Sequence, residues 1–106
     1  MKNSENSITE RFNELVENEE YIAAENLLNE TLKDDSENVE VLLARAKLYR
    51  QLQKFPDAFN DLQYVLKLAP EHTEAKNLLH LTQDILRYQK LDIYSSTNLN
   101  YDPWLE

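Results

Sequence analysis

The chain repeats itself at an interval of about 34 residues, a period typical of a small helical unit that stacks on its neighbours to cover its apolar face. This repeat constrains the fold more than any other feature. Aligning residues 5–38 with residues 39–72 gives seven identical positions, where about two would be expected by chance from ordinary composition. The identical pairs are Arg11/Arg45, Ala24/Ala58, Asn26/Asn60, Leu28/Leu62, Leu32/Leu66, Lys33/Lys67 and Glu37/Glu71.

The first period predicts two helices. Ser7 is a candidate N-cap, with Glu10 three residues later as in a capping box, and the helix is predicted to run to about Glu17. Asn18 is the expected chain-reversal residue because asparagine tolerates left-handed geometry. The second helix is predicted over residues 21–33. Its apolar residues recur at helical spacing: Ala24, Leu27, Leu28, Thr31 and Leu32.

The second period begins at Asn38, a possible N-cap, and its first helix is predicted to run to about Leu52. Apolar residues occupy nearly the whole circumference of this helix, which favours a central place between neighbours. The following helix is predicted to begin at Pro56, a residue suited to the first helical turn, and to stop before Pro70. Its predicted buried residues are Ala58, Phe59, Leu62, Val65 and Leu66.

A third period opens after Pro70, with one predicted helix that ends near Lys90. Its apolar stripe is Leu78, Leu79, Thr82, Ile85 and Leu86. Residues 91–106 follow as a tail containing Tyr94, Tyr101 and Trp104. Three interpretations of the tail stay open: it is disordered, it folds back over its own helices, or it docks on another molecule.

Composition excludes several classes of site. The 106-residue chain contains no cysteine and no glycine, which rules out disulfides, thiolate metal sites and glycine-dependent phosphate loops. No stretch approaches the ~20 apolar residues of a membrane span, and the polar first twelve residues do not resemble a secretory signal. We therefore expect a single soluble domain located in the cytoplasm.

The net charge of −9 is concentrated at the N-terminal end. Residues 1–40 contain twelve acids and three bases, whereas residues 41–106 contain eight of each. Acidic chains repel phosphate backbones and anionic membrane surfaces, so neither nucleic acid nor membrane is an expected partner. The acids either keep the protein dispersed in water or steer a basic partner to the N-terminal half.

The residue pattern of the second period resembles the tetratricopeptide repeat (TPR). The matching residues are Leu42, Ala46, Tyr49, Phe55, Ala58, Leu62, Leu66 and Pro70. The resemblance implies an all-α solenoid of five helices in antiparallel pairs, about two and a half repeats. In the repeat at 5–38, Phe12 replaces a small residue and Ser36 replaces proline. Residues 73–90 resemble a capping helix, and residues 76–94 resemble the closing segment of small stand-alone bacterial TPR proteins.

Arg45 lies on the apolar side of its helix. Family members with arginine at this place often carry aspartate on the partner helix, and Asp61 is the matching residue here. The resemblance thus implies a partly buried Arg45–Asp61 pair with a structural role. Arg11 holds the equivalent place in the first repeat, but its partner position is Leu27, so it must find another acid or reach solvent.

The sequence offers no catalytic or metal-binding constellation. His72 and His80 are eight residues apart, which is not the spacing of a helical zinc pair, and we expect one loop histidine and one packing histidine. Glu19-Glu20 and Asp34-Asp35 are predicted at exposed helix ends, unlike tuned catalytic carboxylates. The serines have no nearby histidine. We expect a non-enzyme with no cofactor and no metal.

The family resemblance implies a concave groove lined by the first helix of each repeat. Its predicted partner-binding residues are Asn13, Glu17, Leu43, Lys47, Arg50, Asn77 and Leu81. Such a groove predicts a protein–protein interaction module for a peptide or partner protein. Acidic chaperone tails are not expected ligands, because the family's basic clamp positions hold Thr9, Ala44, Glu74 and Leu78.

The alternative function is a structural subunit that assembles with itself, for example as a homodimer, without a separate ligand. Three repeats are usually needed for stability, so a shorter array favours help from the tail or from self-association.

Overall fold

The computed structural model describes the backbone of residues 4–97 and the side-chain surroundings of residues 8–89. This part of the chain forms five α-helices and contains no strand. They are α1 (Ser4–Glu17), α2 (Tyr21–Asp34), α3 (Val39–Gln51), α4 (Phe55–Leu68) and α5 (Thr73–Thr97). Consecutive helices pack against each other, and the short turns between them make neighbours antiparallel. The predicted all-α, TPR-like helical repeat is confirmed.

Two turns at equivalent places in the two repeats have the same left-handed conformation. Glu19, between α1 and α2, has φ = 60°, and Gln53, between α3 and α4, has φ = 63°. In both turns the next N–H bonds to a carbonyl five residues back, which is the Schellman motif. These bonds are Glu20 N to Leu15 O and Lys54 N to Tyr49 O, each 2.8 Å. The prediction that Asn18 takes this geometry is wrong, because the hydrogen-bond register selects the following residue.

The entries to α3 and α5 also lie one repeat apart and are built alike. Asn38 caps α3 as predicted, and its Oδ1 accepts a hydrogen bond from the Val41 N–H at 3.1 Å. His72 does the same for α5, where its Nδ1 accepts from the Ala75 N–H at 3.1 Å. The expected loop histidine is therefore also a helix cap.

α3 is the central helix of the array. Five of its side chains are buried, on the sides that α2 and α4 cover. Ala24, Ala46 and Ala58 have no exposed surface, and small residues let helix backbones approach closely. The core formed around α3 contains Leu28, Leu32, Val41, Leu42, Leu43, Ala46, Leu62, Val65 and Ala75.

Several helix limits differ from the prediction. α1 begins at Ser4, so Ser7 lies inside the helix and is not its N-cap. α4 begins one residue before Pro56. α5 continues past Lys90 to Thr97 and so includes the first part of the predicted tail. The predictions for residues 98–106, including Tyr101 and Trp104, lie outside the described residues.

α5 differs from α3 on one face. Three positions of α3 that are buried or half-buried, Leu42, Ala46 and Tyr49, correspond in the next repeat to Lys76, His80 and Gln83, and all three of these are exposed. His80 is thus not the packing histidine that was predicted, because no described helix covers this face. Among the described residues, no helix combines the length and apolarity needed to cross a membrane.

Gln53→Gly should stabilise the protein. The left-handed conformation costs a non-glycine residue roughly 1–2 kcal/mol, and glycine avoids this cost. Part of the resulting gain in stability is lost because glycine gives the unfolded chain more conformational entropy. We expect the free energy of unfolding in urea to rise by about 0.5–1 kcal/mol.

The matched control is Gln63→Gly, at an exposed position inside α4. Here the same substitution should lower the free energy of unfolding by about 1 kcal/mol, since glycine disfavours a helix interior. Destabilisation by both variants would show that Gln53 does not adopt the left-handed geometry.

Candidate functional site

A polar network links α2, α3 and α4 at the centre of the repeat. Arg45 donates two hydrogen bonds to Asp61, from Nε to Oδ2 and from Nη2 to Oδ1, both 2.8 Å. Its Nη1 donates to Asn29 Oδ1, also at 2.8 Å. The predicted Arg45–Asp61 pair is confirmed, and Asn29 adds a contact to the preceding repeat that the sequence pattern did not indicate.

Tyr49 extends this network by one turn. Its hydroxyl donates to Glu25 Oε2 at 2.7 Å, and the guanidinium carbon of Arg45 lies 5.7 Å from the ring centroid. Burial, followed by the hydrogen bond to Glu25, raises the pKa of Tyr49 to about 12, although the charge of Arg45 opposes the change. The hydrogen bond to Asp61 raises the pKa of Arg45 above its ordinary value.

Arg11, which holds the place of Arg45 in the first repeat, is exposed. It lines a second, more open cleft of about 560 Å³ together with Glu30 and Asp34. No ion pair to Arg11 occurs among the described residues, so of the two expected alternatives, another acid or solvent, the structure shows the second.

A cleft of about 290 Å³ lies between α1 and α3, and the start of α5 borders it. Ile8, Phe12 and Ala44 give the cleft apolar, half-buried walls. Phe12 occupies the place that Ala46 holds in the second repeat, so the side chain that breaks the repeat pattern lines this cleft. Its remaining lining residues are Thr9, Asn13, Leu28, Glu40, Val41, Leu43, Lys47 and Glu74.

The structure brings three of the seven predicted groove residues into this cleft: Asn13, Leu43 and Lys47. Asn13 and Lys47 are exposed there, whereas Leu43 belongs to the core with 6% of its surface accessible. Substituting Leu43 would therefore change stability as well as binding.

The other four predicted groove residues do not line the cleft. Glu17 and Asn77 are exposed, and Leu81 is 52% exposed on α5. Arg50 is half-buried, and its Nε has no hydrogen-bond partner among the described residues. For all seven, a role in partner binding stays a prediction.

Glu40 was missed as a groove residue, and Glu74 was named only at a clamp position of the family, not among the predicted partner-binding residues. Both are exposed acids in the first turn of a helix, Glu40 in α3 and Glu74 in α5, and they hold equivalent positions in successive repeats. Lys47 forms an ion pair with Glu74. The repeat offset itself was the available signal, because it places both acids at the same level of neighbouring helices.

The described residues contain no group of three or more histidine, aspartate or glutamate side chains arranged to hold a metal ion. The acids in the cleft are exposed, so the cleft can offer charge and hydrogen-bond acceptors at its rim and apolar contact on its walls.

Comparison with known proteins supports a TPR-like family. A stretch of 61 residues, 58% of this chain, is 41% identical to tetratricopeptide repeat protein 16 of Macaca fascicularis. A stretch of 53 residues, 50% of this chain, is 42% identical to the human protein of the same name. The aligned stretches span only 7% and 6% of those much longer proteins. No family model matches the chain, and no solved structure matches it.

Arg45→Met tests the central network. It would leave the Asp61 carboxylate buried without its charge partner, so the free energy of unfolding in urea should fall by about 3 kcal/mol. Replacing both partners, as Arg45→Met with Asp61→Leu, should recover part of this loss because no buried charge remains.

Lys33→Met is the control for Arg45→Met. Lys33 pairs with Glu30, but both side chains are 70% exposed, so its loss should change stability by less than about 0.5 kcal/mol. If Arg45→Met were as mild as Lys33→Met, the Arg45–Asp61 pair would not stabilise the packing of α3 against α4.

Tyr49→Phe should alter the alkaline stability of the protein. The pKa of Tyr49 is about 12 in the folded chain and about 10 in the unfolded chain. The protonated Tyr49 hydroxyl therefore stabilises the fold fully below pH ~10, and this contribution is lost as the pH rises through ~12. Over this pH range the free energy of unfolding should fall by on the order of 1 kcal/mol more for the wild type than for Tyr49→Phe. The difference is kept this small because the Tyr49 ring is partly solvated.

Urea denaturation at several pH values between about 9 and 11.5 measures this difference. Tyr88→Phe removes an exposed tyrosine and should follow the wild type. If the free energy of unfolding changed with pH in the same way for wild type and Tyr49→Phe, the raised pKa of Tyr49 would be contradicted.

Proposed function

We propose that this chain is a protein–protein interaction module that binds a peptide segment in the cleft between α1 and α3. The observation that carries the proposal is the combination of half-buried apolar walls, from Ile8, Phe12 and Ala44, with an exposed polar rim. Peptide grooves commonly use apolar walls for affinity and a few polar groups for orientation. The similarity to tetratricopeptide repeat proteins supports this interpretation.

We infer binding rather than catalysis for this site. Glu40 and Glu74 are exposed to water, and Glu74 is already paired with Lys47. Catalytic carboxylates are usually tuned by burial or by a closely placed charge, and the rim acids of this cleft are instead placed to contact an incoming ligand.

We further propose that α5 caps the array. The exposed polar residues Lys76, His80 and Gln83 stand where Leu42, Ala46 and Tyr49 meet covering side chains in the second repeat. Terminal units of solenoids need a polar outer face. Under this proposal residues 5–38 and 39–72 are the two repeats of the domain, and the cleft lies on their concave side.

Self-assembly is the second candidate function. Leu81 and Tyr88 are 52% and 68% exposed, and they lie two turns apart on one side of α5, with the half-buried Ile85 between them. Large apolar side chains that share a face are common in interfaces. A sedimentation mass that rises with concentration would favour this candidate.

Asn13→Trp tests peptide binding in the cleft. Asn13 is exposed at the cleft, so an indole there should fill the space without entering the core. Short peptides, selected on the wild type from a random phage-displayed library, should bind Asn13→Trp at least about tenfold more weakly in fluorescence anisotropy.

The control is Asn60→Trp, the same substitution at an exposed position of α4 outside the cleft. It should leave the affinity unchanged. Equal binding by Asn13→Trp and wild type would show that the selected peptides bind elsewhere, and a selection that enriches no peptide on the wild type would contradict the proposed function.

A further inference from the structure

The two repeats place different residues at one equivalent pair of positions. Between α3 and α5, Lys47 forms an ion pair with Glu74. The same pair of positions one repeat earlier, between α1 and α3, is Asn13 and Glu40. Since both Asn13 and Glu40 line the cleft, the first repeat carries an acid there but lacks the lysine that would neutralise it.

Glu40 is left without a cation by the rest of its surroundings. No ion pair or hydrogen bond to its carboxylate occurs among the described residues. Lys47 lies on the same helix, but two helical turns place it about 10 Å further along the axis, where it is held by Glu74. The cleft therefore joins apolar walls to one exposed acid whose charge is not balanced by a neighbour.

We propose that the cleft selects peptides that carry a lysine or arginine next to an apolar side chain, with Glu40 and Asn13 contacting the cation. The apolar neighbour would lie against Phe12 and Ile8. This inference rests on the proposed function and names its ligand class. A guanidinium or ammonium beside a carboxylate makes a charge-assisted hydrogen bond, and the Asn13 side-chain oxygen can accept a second one.

The wider charge distribution points the same way. The cleft lies mainly between α1 and α3, beside the segment that carries twelve acids and three bases in residues 1–40. Such a surface draws a basic ligand toward it and repels an acidic one. Glu40 also stabilises the N-terminus of α3 through its interaction with the helix dipole. That interaction contributes to stability and gives no preference among peptides.

The experiment compares peptide selection on matched variants at about 0.15 M salt, where long-range attraction is largely screened. The same random phage-displayed library is selected on each protein, and sequencing gives the Lys plus Arg content relative to the starting library. Glu40→Gln removes the acid, and Asn13→Lys rebuilds the Lys47–Glu74 arrangement in the first repeat. Glu37→Gln and Asn60→Lys make the same charge changes at exposed positions outside the cleft.

We expect at least about twofold enrichment of Lys and Arg on the wild type and on both control variants, and none on Glu40→Gln or Asn13→Lys. For one selected peptide, replacing its arginine by uncharged citrulline should weaken binding to the wild type about tenfold, and binding to Glu40→Gln less than about twofold.

This inference would be overturned if the peptides selected on the wild type were not enriched in Lys and Arg, or if that enrichment persisted on both Glu40→Gln and Asn13→Lys. Either result would leave the proposed function intact. Equal losses for Glu40→Gln and Glu37→Gln would also overturn it, because net charge alone would then explain the preference. Failure to enrich any peptide on the wild type would instead count against the proposed function.

Discussion

The structure depends on covering α3. Val41, Leu42, Leu43, Ala46 and Leu48 of this helix are buried, and such side chains must be covered by neighbouring helices. α2 covers one side and α4 another, and the fully buried alanines Ala24, Ala46 and Ala58 lie where the helices must approach closely. The Arg45–Asp61–Asn29 network fixes the three helices in one register, since its hydrogen bonds are satisfied in only one relative arrangement. The cleft lies beside this packing, and Phe12, which takes the place of a small residue, lines it.

Much of the fold could be predicted from the sequence because burial is periodic. The stripe of α2 and the central place of α3 both follow from apolar spacing, and Asp61 could be assigned to Arg45 through a family resemblance. The helix ends were harder to predict. Glu19 adopts the left-handed conformation instead of Asn18, since the carbonyl groups that remain free at the end of α1 decide which N–H can bond to them. Side-chain preference is a weaker term than that backbone constraint.

The site was predicted less well than the fold. A single helix's periodicity shows which residues face outward, but the angle between helices decides which outward residues meet. Leu43 has the spacing of a groove residue and is nevertheless buried in the core. Glu40 was missed because an acid in the first turn of a helix has an ordinary explanation in the helix dipole. Only the pairing of Lys47 with Glu74 reveals that the equivalent acid in the first repeat lacks a cation.

Repeats of this kind separate the requirements of folding from those of binding. Positions that must pack keep their character from one unit to the next, as Leu28 and Leu62 do, because any change there alters the core. Exposed positions are free to differ, as Asn13, Lys47 and Leu81 do at equivalent places in successive repeats. Residue differences at equivalent exposed positions are therefore where specificity can arise without a cost in stability. By this reasoning the Asn13–Glu40 pair is more informative about ligand chemistry than any residue that the repeats share.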